Sequence, residues 1–229
     1  MSTLIAAAAV FLLIHLLISG TQIRDRITGV IGEGPYLGIF SLASIAALVW
    51  LCFAFGAARH DAANVAYWSI TPLTRHIALG LVLIAFLLAV PGLLTNSPTR
   101  VRGGELVDKP DAAKGMTRIS RHPFLWGAAI WALGHMIANG RTADLILFGT
   151  IFVLSLMGTA SIDAKRQRAL GERYAVFKTK TSNIPFAAIV QGRQSLKIGE
   201  IWWRLLVALV LWAIVLHFHT MWFGANPLG

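Results

Sequence analysis

The chain has 229 residues, of which 56% are hydrophobic and only 13% charged. A soluble protein carries about 25% charged residues, so this composition excludes a soluble globule, and the same hydrophobicity excludes intrinsic disorder. Twenty Lys and Arg against ten Asp and Glu leave a net charge of +10, the balance of a polytopic membrane protein with one basic aqueous face.

A bilayer core of about 30 Å needs roughly 20 apolar helical residues. Six stretches qualify, and they predict an all-α bundle forming a single integral membrane domain over residues 1–229. Leu4–Ile18 holds no charged residue, and nothing basic precedes it, which argues against a signal peptide. A loop with Arg24 and Arg26 leads to Tyr36–Ala58. Tyr67 and Trp68 stand before Ile77–Leu94, as amphipathic rings of the headgroup zone. The segment Thr95–Ser120 is polar and marked by Pro and Gly. Phe124–Ala138 and Leu145–Ile162 are separated only by Asn139–Asp144, which predicts a tight helical hairpin. Segment Asp163–Gly199 begins helically over Asp163–Lys178 and turns at Asn183–Pro185. Ile201–Phe223 closes the chain, with Trp202, Trp203 and Trp222 at its ends.

Only Arg59, Arg75 and Arg141 fall in the loops on one side; the other seventeen basic residues fall on the opposite side. The positive-inside rule makes the side with seventeen cytoplasmic and puts both termini on the other. The expected setting is a bacterial inner membrane, with membrane lipids and a lipophilic small molecule as partners and no nucleic acid.

No Asp or Glu lies deep in any of these stretches, so the ionisable candidates for function inside the membrane are histidines. His15 sits well inside the first stretch. His135 lies in the fourth, one turn after Trp131 and on the same face. Gly127, Ala128, Ala129, Ala132 and Gly134 give that helix a small-residue surface, suited to helix packing or to a flat ligand. His76 and His122 stand at span entrances, while His60, His217 and His219 read as solvated or interfacial. In Arg118-Ile-Ser-Arg121-His122-Pro123 the proline suits a first helical turn. The two arginines are then lipid-phosphate anchors or an anion site for propionates, phosphates or a cofactor carboxylate. Haem is the cofactor that paired intramembrane histidines imply. Cys52 stands alone, which excludes a multi-cysteine metal site, and without CxxCH any haem is non-covalent.

The block Arg118–Pro123, with Gly127, Ile130-Trp131 and Gly134-His135, resembles the NnrU domain family. Val107-Asp108-Lys109-Pro110 and Thr181–Ile189, with Gly192-Arg193-Gln194, resemble it too, and the likeness runs from about His15 to the start of the last stretch. The resemblance implies a membrane haem b protein. In one branch of the family it implies a cis–trans isomerase of a polyene, 15-cis-zeta-carotene, in carotenoid biosynthesis. The haem histidines of that branch match His15 and His135, with His76 in reserve. That branch carries a cysteine three residues before the fourth-span histidine, where this chain has Ala132. Depth counting puts His15 and His135 roughly 6 Å to either side of the midplane, whereas His76 and His135 share the outer half. The family's other branch implies an accessory or haem-binding protein linked to denitrification and nitric oxide. A third reading is a membrane methyltransferase of the isoprenylcysteine type. Arg121-His122-Pro123 with Gly127, and Leu170–Tyr174 followed by Pro185, resemble its cofactor end, but Asp163 stands where an acidic pair is usual.

Overall fold

Lipid offers backbone groups no hydrogen-bond partners, so apolar stretches of this length close their bonds internally as helices. In the computed structural model, which describes residues 1–229, all six stretches do so. Helix α1 spans Ser2–Leu12 and continues into a π-helical turn at Leu13–Ile18. The short α2, Gln22–Ile31, follows at 74° to it. Helix α3 is Glu33–Ala58 and α4 is Pro72–Leu93. After the single turn α5, Met116–Ile119, come α6, Pro123–Ala138, and α7, Thr142–Leu170. The chain ends with α8, Glu172–Lys180, the single turn α9, Ala187–Val190, and α10, Trp202–Phe223.

The expected hairpin of α6 and α7 is present, with Gly140 in its turn beneath Trp68. Three features extend the sequence reading. Thr71 and Thr74 form a capping box, with Pro72 in the first turn, so α4 begins five residues before the apolar run. Thr21 accepts a hydrogen bond from the Ile23 amide and starts α2 where only a loop was expected. Gly171, at φ +56°, breaks the expected helix over Asp163–Lys178 into the end of α7 and α8.

Helices α3, α4, α7 and α10 are long and apolar enough to cross a membrane, and the bent α1–α2 pair makes a fifth candidate. Helix α6 has 16 residues, about 24 Å at 1.5 Å each, less than a bilayer core of about 30 Å. Length and composition thus support four or five of the six expected crossings. The exterior agrees with a lipid setting, since Leu42, Phe53 and Met221 are each at least 70% exposed.

The long helices pack in the order α3, α1, α7, α6, α4, α10. Leu4, Ala7, Ala8 and Phe11 of α1 meet Ala47, Leu51, Ala54 and Ala58 of α3 and Ala143 of α7. Small residues let backbones approach closely, which is what association in lipid requires. The Gly/Ala face of α6 is filled in this way by α4. A Cβ on Gly127 would stand 2.7 Å from the Ala85 carbonyl oxygen, and one on Gly134 3.3 Å from that of Ala78. That surface is a helix contact and not the bed of a flat ligand. Gly127→Leu is expected to cost at least the roughly 1–3 kcal/mol of an overpacked core, read as a lower melting temperature in detergent.

Candidate functional site

His15, His76 and His135 share one arrangement, each ring bonded to the carbonyl four residues before it. Nδ1 of His15 lies 2.8 Å from the Phe11 carbonyl, that of His135 lies 2.9 Å from Trp131 and that of His76 lies 2.6 Å from Pro72. A carbonyl only accepts, so each Nδ1 carries a proton, and in a neutral ring the lone pair able to ligate a metal is then on Nε2. A hydrogen bond at the second nitrogen also fixes the ring, as it does for metal-bound histidines.

Their surroundings differ. The His135 ring lies between Trp131 and Phe148 of α7, with centroids at 4.3 and 4.7 Å. His15 projects from the π-helical turn against Phe11 and against Phe40 of α3, at 4.5 and 5.4 Å. His76 is exposed at the start of α4. Helix α7 stands between α1 and α6, so the structure does not bring His15 and His135 together. They also differ in level. His135 lies beside Phe148, while Gly20, five residues after His15, abuts Ser161. At 1.5 Å per residue the two histidines are staggered by roughly 12 Å along α7. The two rings therefore do not face one another in this arrangement.

The basic motif is brought together at the other polar end of the hairpin. Helix α7 continues past its apolar part and presents Asp163 to the start of α6. Arg121 donates to Asp163 through Nη2 and Nε, at 2.6 and 3.3 Å, and His122 Nε2 donates at 2.7 Å. The Tyr174 hydroxyl of α8 adds a fourth bond at 2.6 Å. Arg121, His122 and Tyr174 are buried. Burial, together with the bond to Asp163, pushes the Tyr174 hydroxyl above the usual phenol range. Sequence reasoning weighed Asp163 only against the methyltransferase pattern and did not read it as the partner of Arg121 and His122. The signal for it was a carboxylate directly after an apolar run, facing arginines with no other partner nearby in sequence.

The two blocks that carry the family likeness are bonded to each other. Arg121 N donates to Ser182 O at 2.8 Å, Phe186 N to Ile119 O at 2.8 Å, and Ser120 Oγ to Asn183 O at 2.6 Å. Asn183 receives the Trp126 indole N–H from α6 and donates to Thr159 of α7. Arg118 grips Glu200 at 3.0 and 3.1 Å and Gln194 at 2.7 Å. These contacts form a cap that ties the start of α6, the end of α7 and the approach to α10. Arg118, Arg121 and His122, the expected anion or cofactor site, are thus engaged by the chain's own carboxylates. The methyltransferase reading needs Arg121 and His122 free to meet a cofactor, and Asp163 holds both.

Burial opposes the charge on Glu200, but Arg118 and the Gly115 amide outweigh it and hold the carboxyl below the usual range. A depressed folded value means stability that is present above the unfolded value, near 4.5, and lost as pH falls through the folded one. Glu200→Gln is expected to cost about 1 kcal/mol at pH 7 and progressively less as the pH is lowered below 4.5, in melts across that range.

The family described as NnrU protein matches residues 3–227. A protein described as chloroplastic 15-cis-zeta-carotene isomerase from Zea mays is 28% identical over 193 residues, covering 82% of this chain and 50% of that protein. One of the same description from Arabidopsis thaliana is 37% identical over 93 residues, covering 39% of this chain and 25% of that protein. The aligned stretches thus span half the length, or less, of these curated relatives. Both are described as chloroplastic, so the expected bacterial inner membrane finds no support in them. No solved structure matches.

Proposed function

The chain belongs to the NnrU protein family, and from that premise we propose that it is a membrane-embedded cis–trans isomerase of a polyene of the 15-cis-zeta-carotene class. The observation that carries this reading is the likeness to the maize isomerase over 82% of the chain. The physical setting supports it. A polyene of this class is soluble only in an apolar phase, and the long helices expose apolar faces to such a phase. Rotation about a carbon–carbon double bond moves no atom between molecules, so the site needs shape and an electronic trigger rather than an acid and a base. The Nδ1 atoms of His15 and His135 are taken up by backbone carbonyls, which leaves Nε2 as the nitrogen a cofactor would meet.

The proposed cofactor is haem b, with His135 and His15 as axial candidates. Haem iron would supply the redox-active centre that a bilayer interior lacks. The protein's own part is to hold each imidazole by a backbone carbonyl and to flank His135 with Trp131 and Phe148 and His15 with Phe11 and Phe40. In the same reading the short α6 and the bent α1 complete six crossings. The loops rich in Arg and Lys, including the Asp163 cap, then face the cytoplasmic side or its organellar equivalent.

The test is reconstitution in lipid vesicles loaded with 15-cis-zeta-carotene, under reducing and oxidising conditions, with chromatography that separates the isomers. Conversion dependent on the protein is expected. No conversion under either condition, in protein that retains a Soret band, would move the reading to a non-catalytic haem-binding role.

A further inference from the structure

We propose that the cleft between the end of α4 and the start of α10 binds the phosphate headgroup of an anionic membrane lipid. The cleft encloses about 310 Å³, between Leu94, the loop carrying Lys109, Asp111 and Lys114, and the pair Glu200 and Arg204. Two of its charges are cancelled within the chain. Glu200 is held by Arg118 and by the Gly115 amide, and Asp111 pairs with Lys114 at 3.4 Å. Lys109 and Arg204 remain, and neither meets a carboxylate. The cleft therefore keeps two positive charges without an internal counter-ion.

Arg204 is also positioned in advance. Its Nε donates to the Leu94 carbonyl at 3.1 Å and its Nη1 to the Glu200 carbonyl at 2.6 Å. Carbonyls orient a guanidinium without neutralising it, so Nη2 is left as a charged donor in a fixed place. The Trp203 ring lies under the same guanidinium, at 4.5 Å. A held arginine and a mobile lysine suit a phosphate, one by geometry and the other by charge.

The position selects a lipid over a free phosphate. Helices α4 and α10 are both long and apolar enough to cross a membrane, and the cleft lies where both meet the polar loops. Leu93 at the end of α4, and Trp202 and Leu206 at the start of α10, are each more than half exposed, so apolar surface is presented at the level of the cleft. A headgroup in the cleft thus sets its acyl chains against apolar helix faces, and basic groups at that depth attract anionic lipids. The inference rests on the membrane placement of α4 and α10 and not on the isomerase reading.

The full chain in detergent micelles is titrated with phosphatidylglycerol, phosphatidylcholine or inorganic phosphate, and retained molecules are counted by native mass spectrometry. One phosphatidylglycerol per chain is expected, preferred over phosphatidylcholine by about tenfold. Lys109→Glu, at an exposed position, is expected to lower that affinity about fivefold or more. Lys178→Glu, exposed on α8, is expected to leave it unchanged. Equal retention of the two lipids, or Lys109→Glu binding like the wild type, overturns the proposal. Inorganic phosphate displacing the lipid at comparable concentration overturns the lipid assignment. A chain that stays monodisperse after the detergent is removed overturns the membrane placement beneath it.

Discussion

Asp163→Ala is expected to cost about 3–5 kcal/mol, the usual penalty for removing one partner of a buried ion pair. The large value follows from what the carboxylate holds. Arg121 and His122 are 6% and 4% exposed, and the Tyr174 hydroxyl lies on a fully buried side chain. Without Asp163 the guanidinium becomes a buried charge with no counter-ion, and two further donors lose their acceptor. Asp163→Asn keeps an acceptor and is expected to lie between the alanine variant and the wild type. Arg121→Ala combined with Asp163→Ala is expected to cost less than the sum of the two single changes, because the second removes a group already stranded. The measurement is thermal unfolding in detergent, followed by the near-ultraviolet signal of the tryptophans. An alanine variant that melts with the wild type would show that the four bonds to Asp163 add nothing to the folded state.

His135→Ala is expected to remove most of the Soret absorbance that the haem reading assigns to the purified protein, while His76→Ala leaves it. The reason lies in the surroundings of the rings. His135 is enclosed by Trp131 and Phe148, with its free nitrogen the only donor left in that aromatic slot. His76 is exposed at the first turn of α4. His15→Ala separates two arrangements. If His15 is the second ligand, its loss converts a six-coordinate spectrum to a five-coordinate one, and α1 must shift relative to α7 on binding. If His135 binds alone, the spectrum is unchanged and the roughly 12 Å stagger persists. Full Soret absorbance in the His135 variant would place the cofactor elsewhere.

The helical bundle was legible because its signals are local. Six charge-poor apolar stretches became helices with ends within a few residues of those read, and only α7 was extended substantially, by its polar tail. Other features lack a local signal. The π-helical turn at Leu13–Ile18 reads like any apolar helix, and the path of the backbone there is set by packing against α3 and α7. Gly20 gives no hint that a methyl group would stand 2.3 Å from Ser161 Oγ. The Gly/Ala face of α6 was read as a small-residue surface for either a helix or a flat ligand, and its occupant, α4, is a matter of tertiary order. The cap is the clearest case. Arg121 and Asp163 lie 42 residues apart, and a basic motif at a helix entrance reads as an anion site until its internal carboxylate is located. The histidines were legible as chemistry and not as a site, because spacing along helices gives depth but not the neighbour a ring faces.

The pairing of residues 119–122 with 182–186 fixes an order of events during synthesis. The first block leaves the ribosome some sixty residues before the second, together with a helix, α6, that is marginal in length for crossing a membrane. Until Thr181 and Ser182 emerge, Arg121 has only part of its final set of bonds, and until Tyr174 emerges Asp163 lacks one of its four. The α6–α7 hairpin is therefore closed from behind, by chain made after it. A ribosome stalled before residue 182 would hold a hairpin without its latch, exposed to extraction and proteolysis, so that commitment to the bundle comes late and depends on the penultimate loop.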